Sequence, residues 1–299
     1  MRSLAVAVVV LCAWSPFVAA QDMPLSQVLL DGEGWQLVAE GYKFTEAPAV
    51  DAAGNVFFVD VPASQILKIG LDGKVSVFAE QTGNASGLMF GPEGRLYACG
   101  SGNKEVAWYD ASAKRTVLAD GIPGNDLVVD RQGGVYVTDM GAKKVWYVSP
   151  TGEKRTATEG FPPNGLTFWS DGGTLVIADW DEPHLRTFRV GKDHNLLFGD
   201  RYYGPIQRPA NQPKPGSDGM TVDDDGRLYV CTHDGLQMFD STGRLGGSIA
   251  KPQPKFLSNV KFGGPNFDTL YVTSTDKVFK RKTKVRGTPF FLGPPKKKT

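Results

Sequence analysis

The sequence predicts an all-β fold, a six-bladed β-propeller with four-stranded antiparallel blades around a central channel. Three observations lead there. One short pattern returns six times along the chain. Each return is followed by further strand patterns and Gly-containing turns, so that four short strands fit into about 40 residues, the length of a propeller blade. No stretch sustains helical periodicity, which removes an α/β alternative.

The repeat begins with Asp-Ala-Ala-Gly-Asn-Val-Phe-Phe-Val-Asp at 51–60 and Gly-Pro-Glu-Gly-Arg-Leu-Tyr-Ala-Cys-Gly at 91–100. It returns at 130–139, 170–179 and 223–232, and in degenerate form as Phe-Asp-Thr-Leu-Tyr-Val-Thr-Ser at 267–274. Each copy reads strand, tight turn, strand. A third strand follows, as in Gln65 to Ile69 or Lys144 to Val148, and turns such as Asp72-Gly73 lead to a fourth, such as Val75 to Phe78. The ring must close. Residues 35–40 precede the first blade and are expected to supply the outer strand of the last, pairing near Phe279 to Phe291 and covering an exposed edge.

The rest of the chain sorts around this unit. Arg2, an apolar run from Leu4 to Leu11, and small residues at Val18-Ala19-Ala20 read as a signal peptide over 1–20, cleaved before Gln21. The run is too short to span a bilayer. A periplasmic or secreted protein with no membrane attachment after cleavage is therefore expected. Residues 21–34 form a lead-in, 35–293 the propeller, and 294–299 a basic tail carrying Lys296, Lys297 and Lys298. With 33 Lys+Arg against 32 Asp+Glu, nothing in the charge balance calls for a nucleic-acid partner. A monomer is expected. Cys99 and Cys231 hold the same place in two repeats, which favours small buried strand residues over a disulfide.

Counting back eight positions from each turn glycine reaches the start of the innermost strand. The residues there are Glu46, Ser86, Asn125, Asn164 and Asp218, with Ser258 aligned in the sixth copy, at intervals of 40, 39, 39, 54 and 40. Inner strands line the channel, so one phase in six blades makes a ring at one mouth. All six side chains carry oxygen, and two are carboxylates. That donor set suits a hard divalent cation, Ca²⁺, Mg²⁺ or Mn²⁺; Ca²⁺ is expected first, and Zn²⁺ is kept as an alternative outside that set. A purely structural ring would more often be Val, Ala or Gly.

These residues resemble the senescence marker protein-30/gluconolactonase (SMP-30/gluconolactonase/LRE-like) family, which includes the squid-type diisopropylfluorophosphatase. The resemblance covers the mature chain and rests on Thr45-Glu46-Ala47-Pro48, Gly124-Asn125-Asp126-Leu127, Pro163-Asn164-Gly165-Leu166, Ser217-Asp218-Gly219-Met220 and Ser258-Asn259-Val260-Lys261-Phe262-Gly263-Gly264. It implies Glu46, Asn164 and Asp218 as metal ligands and Asn125 as a fourth ligand or a substrate contact. It also implies a gluconolactonase-like hydrolase of small lactones, nearest the bacterial members. Three positions depart from the family: Ala47 stands for a Gly, Pro123 for the Arg of the animal lactonases, and Thr221 for an Asp of the phosphofluoridase's second calcium site.

The chemistry expected is water attack on a metal-polarised lactone carbonyl, with Asp218 or Asp126 as the base. The 54-residue interval inserts about 14 residues before Asp218, in a loop that chain direction places over the ligand mouth; its Arg201, Tyr203 and Arg208 are candidate substrate contacts, and a Pro-stiffened surface loop with no role is the alternative. Other chemistries lack their signatures. There is no Gly-x-Ser-x-Gly elbow, and His184, His194 and His233 show no zinc spacing. Two readings compete with the lactonase: phosphotriester or aryl-ester hydrolysis at the same metal, and a non-catalytic ligand-binding propeller.

Overall fold

A computed structural model of the protein describes residues 23–288, so the expected signal peptide at 1–20, the expected tail at 294–299 and Phe291 lie outside the described residues. Six four-stranded antiparallel sheets surround one channel. Their innermost strands are Thr45–Val50, Ala85–Phe90, Leu127–Val129, Pro163–Phe168, Met220–Val222 and Asn259–Gly263. The sixth blade is closed by Gln36–Glu40, which pairs antiparallel with Lys277–Lys282 in the register Gln36 to Lys280 and Leu37 to Phe279. First and last parts of the ring are thus joined by backbone hydrogen bonds, and the edge of Lys277–Lys282 is covered.

The strand pattern follows from position in the blade. Second strands such as Val56–Asp60 and Val135–Asp139 are buried at every residue, because both faces meet a neighbouring blade. Outer strands such as Lys154–Glu159 are largely exposed and correspondingly polar. The apolar core divides into six clusters, one for each blade-to-blade contact. Phe57 and Phe90 cross edge-to-face at 5.0 Å between the first two blades, and Tyr136 and Phe168 at 5.9 Å between the third and fourth. Each such pair adds about 0.5–1.5 kcal/mol beyond the area it buries.

The repeated turn has a local cause. In blade five Asp223 Oδ1 accepts hydrogen bonds from the amides of Asp225 and Arg227 at 3.0 and 2.9 Å, and Gly226 takes a φ of +83° that few other residues tolerate. Asp130 does the same for Gln132 and Gly134. Cys99 and Cys231 are both buried free thiols in the second strands of their blades.

The two mouths of the channel differ. At the mouth where the inner strands end, the chain past the last blade crosses over. Asp224 N donates to Arg286 O at 2.8 Å and Thr288 N to Val222 O at 3.2 Å, leaving a cavity of only about 60 Å³ beneath. The mouth where the inner strands begin holds a much larger cavity.

Candidate metal and active site

That larger cavity measures about 510 Å³, and Glu46, Ser86, Asn125, Asn164 and Asp218 all lie on its wall. Five of the six ring positions predicted from the repeat phase therefore meet in one place. The sixth does not. Ser258 is fully buried, and its hydroxyl donates to Thr45 O at 3.0 Å and Thr273 O at 3.2 Å. The next residue takes the inward position instead: Asn259 Nδ2 donates to Glu46 Oε2 at 3.2 Å and to Asp126 Oδ2 at 3.3 Å.

Asn259 reaches the axis because its neighbours are small. A Cβ on Gly219 would stand 1.9 Å from Asn259 Cγ, and one on Gly165 would stand 2.3 Å from Asp218 O. Glycine is required there for close approach. Asp126, which shares this deeper layer, is buried and absent from the cavity wall; its Oδ1 accepts from Leu127 N at 2.8 Å. Glu46 is aimed by a register shift between Glu46 and Ala49, with Ala47 at a φ of 48°. Its Oε2 also accepts the amide of Ala47 at 2.6 Å.

Three buried carboxylates so close together resist ionising. Burial, then the Asp126 charge, raises Glu46 above the ordinary carboxyl range. Burial, then Glu46 and Asp126, push Asp218 well above it. Burial raises Asp126 to about 6, while the Lys261 ammonium and the bonds from Leu127 and Asn259 pull the other way. Lys261 enters the channel from the far side, where its Nζ donates to Met220 O at 3.2 Å. It offsets one negative charge. The other two face one another across the cavity floor.

The residues fit a hard divalent cation. Asn164 Nδ2 donates to Ser217 O at 3.4 Å, but its Oδ1 is buried and accepts no hydrogen bond from the protein. An unpaired buried acceptor costs about 1–3 kcal/mol, and a cation would satisfy it. Among the described residues, no three His, Cys, Asp or Glu side chains gather into a cage. The donor set is two carboxylates with amide oxygens, which favours a hard ion over zinc.

The insert's three candidate substrate contacts stand away from the cavity wall. Tyr203 is 3% exposed and packs on Phe239 at 6.0 Å in the core between blades four and five. Arg201 is an exposed strand end paired with Glu182 at 3.6 Å, and Arg208 is spent on the carbonyl of Gln212. None of the three lies on the cavity wall. The loop 200–217 is largely exposed and is anchored where Tyr203 and Ile206 bury their apolar bulk.

The upper wall comes from residues that the sequence reading overlooked. Val61, Ser101, Met140 and Trp180 each follow directly on a second strand, namely Val56–Asp60, Leu96–Gly100, Val135–Asp139 and Thr174–Asp179. They recur at intervals of 40, 39 and 40, so the same phase argument would have found them. Phe44 and Pro123 complete the apolar part. Trp180 is held by Pro162 O, which accepts its backbone N–H at 3.0 Å, and by the rings of His233 and Phe256 at 6.0 and 6.3 Å.

A six-bladed propeller with an acid- and amide-lined channel mouth defines the class. Within it, the SMP-30/gluconolactonase/LRE-like region matches residues 44–276, and the chain belongs to that family. Among solved structures it is similar to a gluconolactonase from Xanthomonas campestris, at 23% identity over 87% of this chain and 92% of that one, with a TM-score of 0.75. Regucalcin from Agrobacterium tumefaciens, described as a calcium-binding protein, is 18% identical over 87% and 97% of the two chains, with a TM-score of 0.73. A luciferin-regenerating enzyme superposes with a TM-score of 0.72 at 18% identity, over 86% and 97%. At these identities the likeness establishes the fold. No curated protein matches the chain.

Proposed function

We propose that the protein is a lactonase, which adds water across the ring ester of a small lactone with a divalent cation, Ca²⁺ first, at the channel mouth. Glu46, Asn164 and Asp218 would hold the ion, with Asn125 as a fourth ligand or substrate contact. When bound, it supplies a Lewis acid that polarises the ester carbonyl. The protein's own groups do the rest. Glu46 and Asp218 provide the two uncompensated charges, and Asn259 holds Glu46 in place. Asp218, on the cavity wall, accepts the proton of the attacking water. Asp126 lies a layer deeper, bound to Asn259, and serves to orient rather than to take that proton. The acyl C–O bond of the ring breaks, and the proton ends on the released hydroxyl.

The observation that carries this reading is the convergence of Glu46, Asn164 and Asp218 on one cavity with Asn164 Oδ1 unpartnered. A panel of lactones, aryl esters and phosphotriesters, assayed with EDTA and with added Ca²⁺, Mg²⁺, Mn²⁺ or Zn²⁺, tests it. Metal-dependent lactone opening supports the proposal. Hydrolysis confined to phosphotriesters or aryl esters, or activity indifferent to EDTA, overturns it.

The protein is further proposed to act outside the cytoplasm as a monomer, given the leader-like first 20 residues. Among the described residues no helix is long and apolar enough to cross a membrane. A mature N-terminus at Gln21 is the expected outcome of sequencing the exported protein. Sedimentation should give the mass of one chain.

A further inference from the structure

The cavity wall has an uneven chemistry. Its floor carries Glu46 and Asp218, and Asp139 adds a third carboxylate to the side. Among the described residues, no Lys or Arg lines it. The ion of the proposed site would be held by Glu46 and Asp218 and engaged with the ring ester, so a further carboxylate or phosphate on the substrate would meet Asp139 and no Lys or Arg, at a cost that burial magnifies. Anionic lactones are disfavoured.

Polyhydroxylated lactones fare little better. Each hydroxyl that loses water needs a partner inside the pocket, and most of the wall's polar groups are already engaged. The Ser86 hydroxyl donates to Asn125 O at 2.7 Å. Asp139 accepts from Ala142 N at 2.9 Å and from Trp146 Nε1 at 3.3 Å. Apart from the groups assigned to the ion, Ser101 at the exposed rim is the remaining hydroxyl.

What the upper wall offers freely is apolar surface. Phe44, Val61, Pro123, Met140 and Trp180 face one cavity, and all five are partly exposed. The Trp180 ring is braced from behind by His233 and Phe256, which stand 5.4 Å apart. A braced indole needs little ordering to receive a ligand, so the area it buries is retained as affinity.

We infer that the substrate is a neutral lactone carrying an apolar alkyl or aryl substituent, which lies against Trp180, Met140 and Phe44 while the ring ester meets the floor. This rests on the lactonase reading and goes beyond it by setting the substrate class apart from sugar lactones. Trp180 and Met140 are the specificity-determining residues.

The test compares kcat/KM for three neutral or polyol lactones: unsubstituted δ-valerolactone, δ-decalactone with its pentyl chain, and D-glucono-δ-lactone. Methylenes buried in an apolar pocket are each worth about 10-fold or more in discrimination. A preference of at least about 30-fold for δ-decalactone over D-glucono-δ-lactone is expected, and Trp180→Ala should reduce that ratio at least about 10-fold, chiefly through KM. Trp180→Phe, which keeps an apolar ring, should retain it. Should Trp180→Ala not fold, Met140→Asn on the neighbouring loop is expected to lower the ratio in the same direction. Equal or reversed preference, or a ratio unmoved by both substitutions, overturns the inference while leaving a lactonase in place. Failure to open any of the three lactones in the presence of metal removes both.

Discussion

Asn259 Nδ2 stands 3.2 Å from Glu46 Oε2, joining the innermost strands of the adjacent last and first blades. The same nitrogen reaches Asp126 Oδ2 at 3.3 Å from the third blade. One amide thus ties together three blades and two carboxylates that would otherwise repel. Gly219 makes room for it, since any Cβ there would overlap the amide carbon.

Replacing Asn259 by Leu should therefore cost about 1.5–3 kcal/mol, the range for a hydrogen bond to a charged group. Denaturant unfolding measures it. Gly219→Ala should act on the same contact, lowering cation affinity at least about 10-fold in a calorimetric titration. If both variants bind and unfold like the parent, the amide is a bystander.

Glu46→Gln and Asp218→Ala should each lower lactone hydrolysis by about 100-fold or more, the scale of losing a preorganised electrostatic group. Each also deletes one of three mutually repelling buried charges. Thermal unfolding without divalent cations should then occur at an equal or higher temperature than in the parent. Full activity in either variant contradicts the site, and a collapsed fold contradicts the electrostatic account.

Stability of the EDTA-treated protein should depend on pH in a defined direction. Asp126 sits near 3.8 ordinarily and is raised to about 6 by burial, so the folded state favours its protonated form. The associated stability is present below about 3.8 and is lost as pH climbs through 6. Glu46 and Asp218 are raised likewise and carry the decline further. The melting temperature should fall between pH 5 and 8, and Ca²⁺ should restore more of it at pH 8. A melting temperature that rises over this interval without metal has the wrong sign.

Ala47 holds a φ of 48° at the register shift that aims Glu46 inward. A non-glycine residue there costs about 1–2 kcal/mol, against about 0.5–1 kcal/mol of extra chain entropy for glycine. Ala47→Gly should be neutral or stabilising by up to about 1 kcal/mol, with hydrolysis retained. A clear loss of stability on equilibrium unfolding would show that the methyl group packs usefully.

Blade architecture was open to reading because propeller blades repeat, and a repeat exposes phase. Glu46, Ser86, Asn125, Asn164 and Asp218 share a position before the turn glycine and share a cavity in space. Closure by Gln36–Glu40 was legible for the same reason: the last blade was one strand short. Ser258 keeps the register of Asn125, its amide bonded to Thr273 O as that of Asn125 is to Thr138 O, but its short hydroxyl turns to backbone carbonyls, and Asn259, one layer deeper, reaches the axis. The insert was harder to read. Chain direction gives the face on which a loop starts, but whether Tyr203 points to substrate or core depends on Phe239 and Ile206, which only tertiary packing brings beside it. Tyr203→Ala should accordingly cost about 3–5 kcal/mol of stability as a core truncation, whereas Arg208→Ala should leave both stability and kinetics nearly unchanged.

The central claim is that Glu46, Asn164 and Asp218 together form one cation site. Calorimetric titration of the EDTA-stripped protein with Ca²⁺ addresses it most directly. One ion per chain, with binding abolished by Asp218→Ala and weakened at least about 10-fold by Asn164→Leu, is the predicted result. Absence of binding in the parent, or binding unchanged in both variants, would contradict the account.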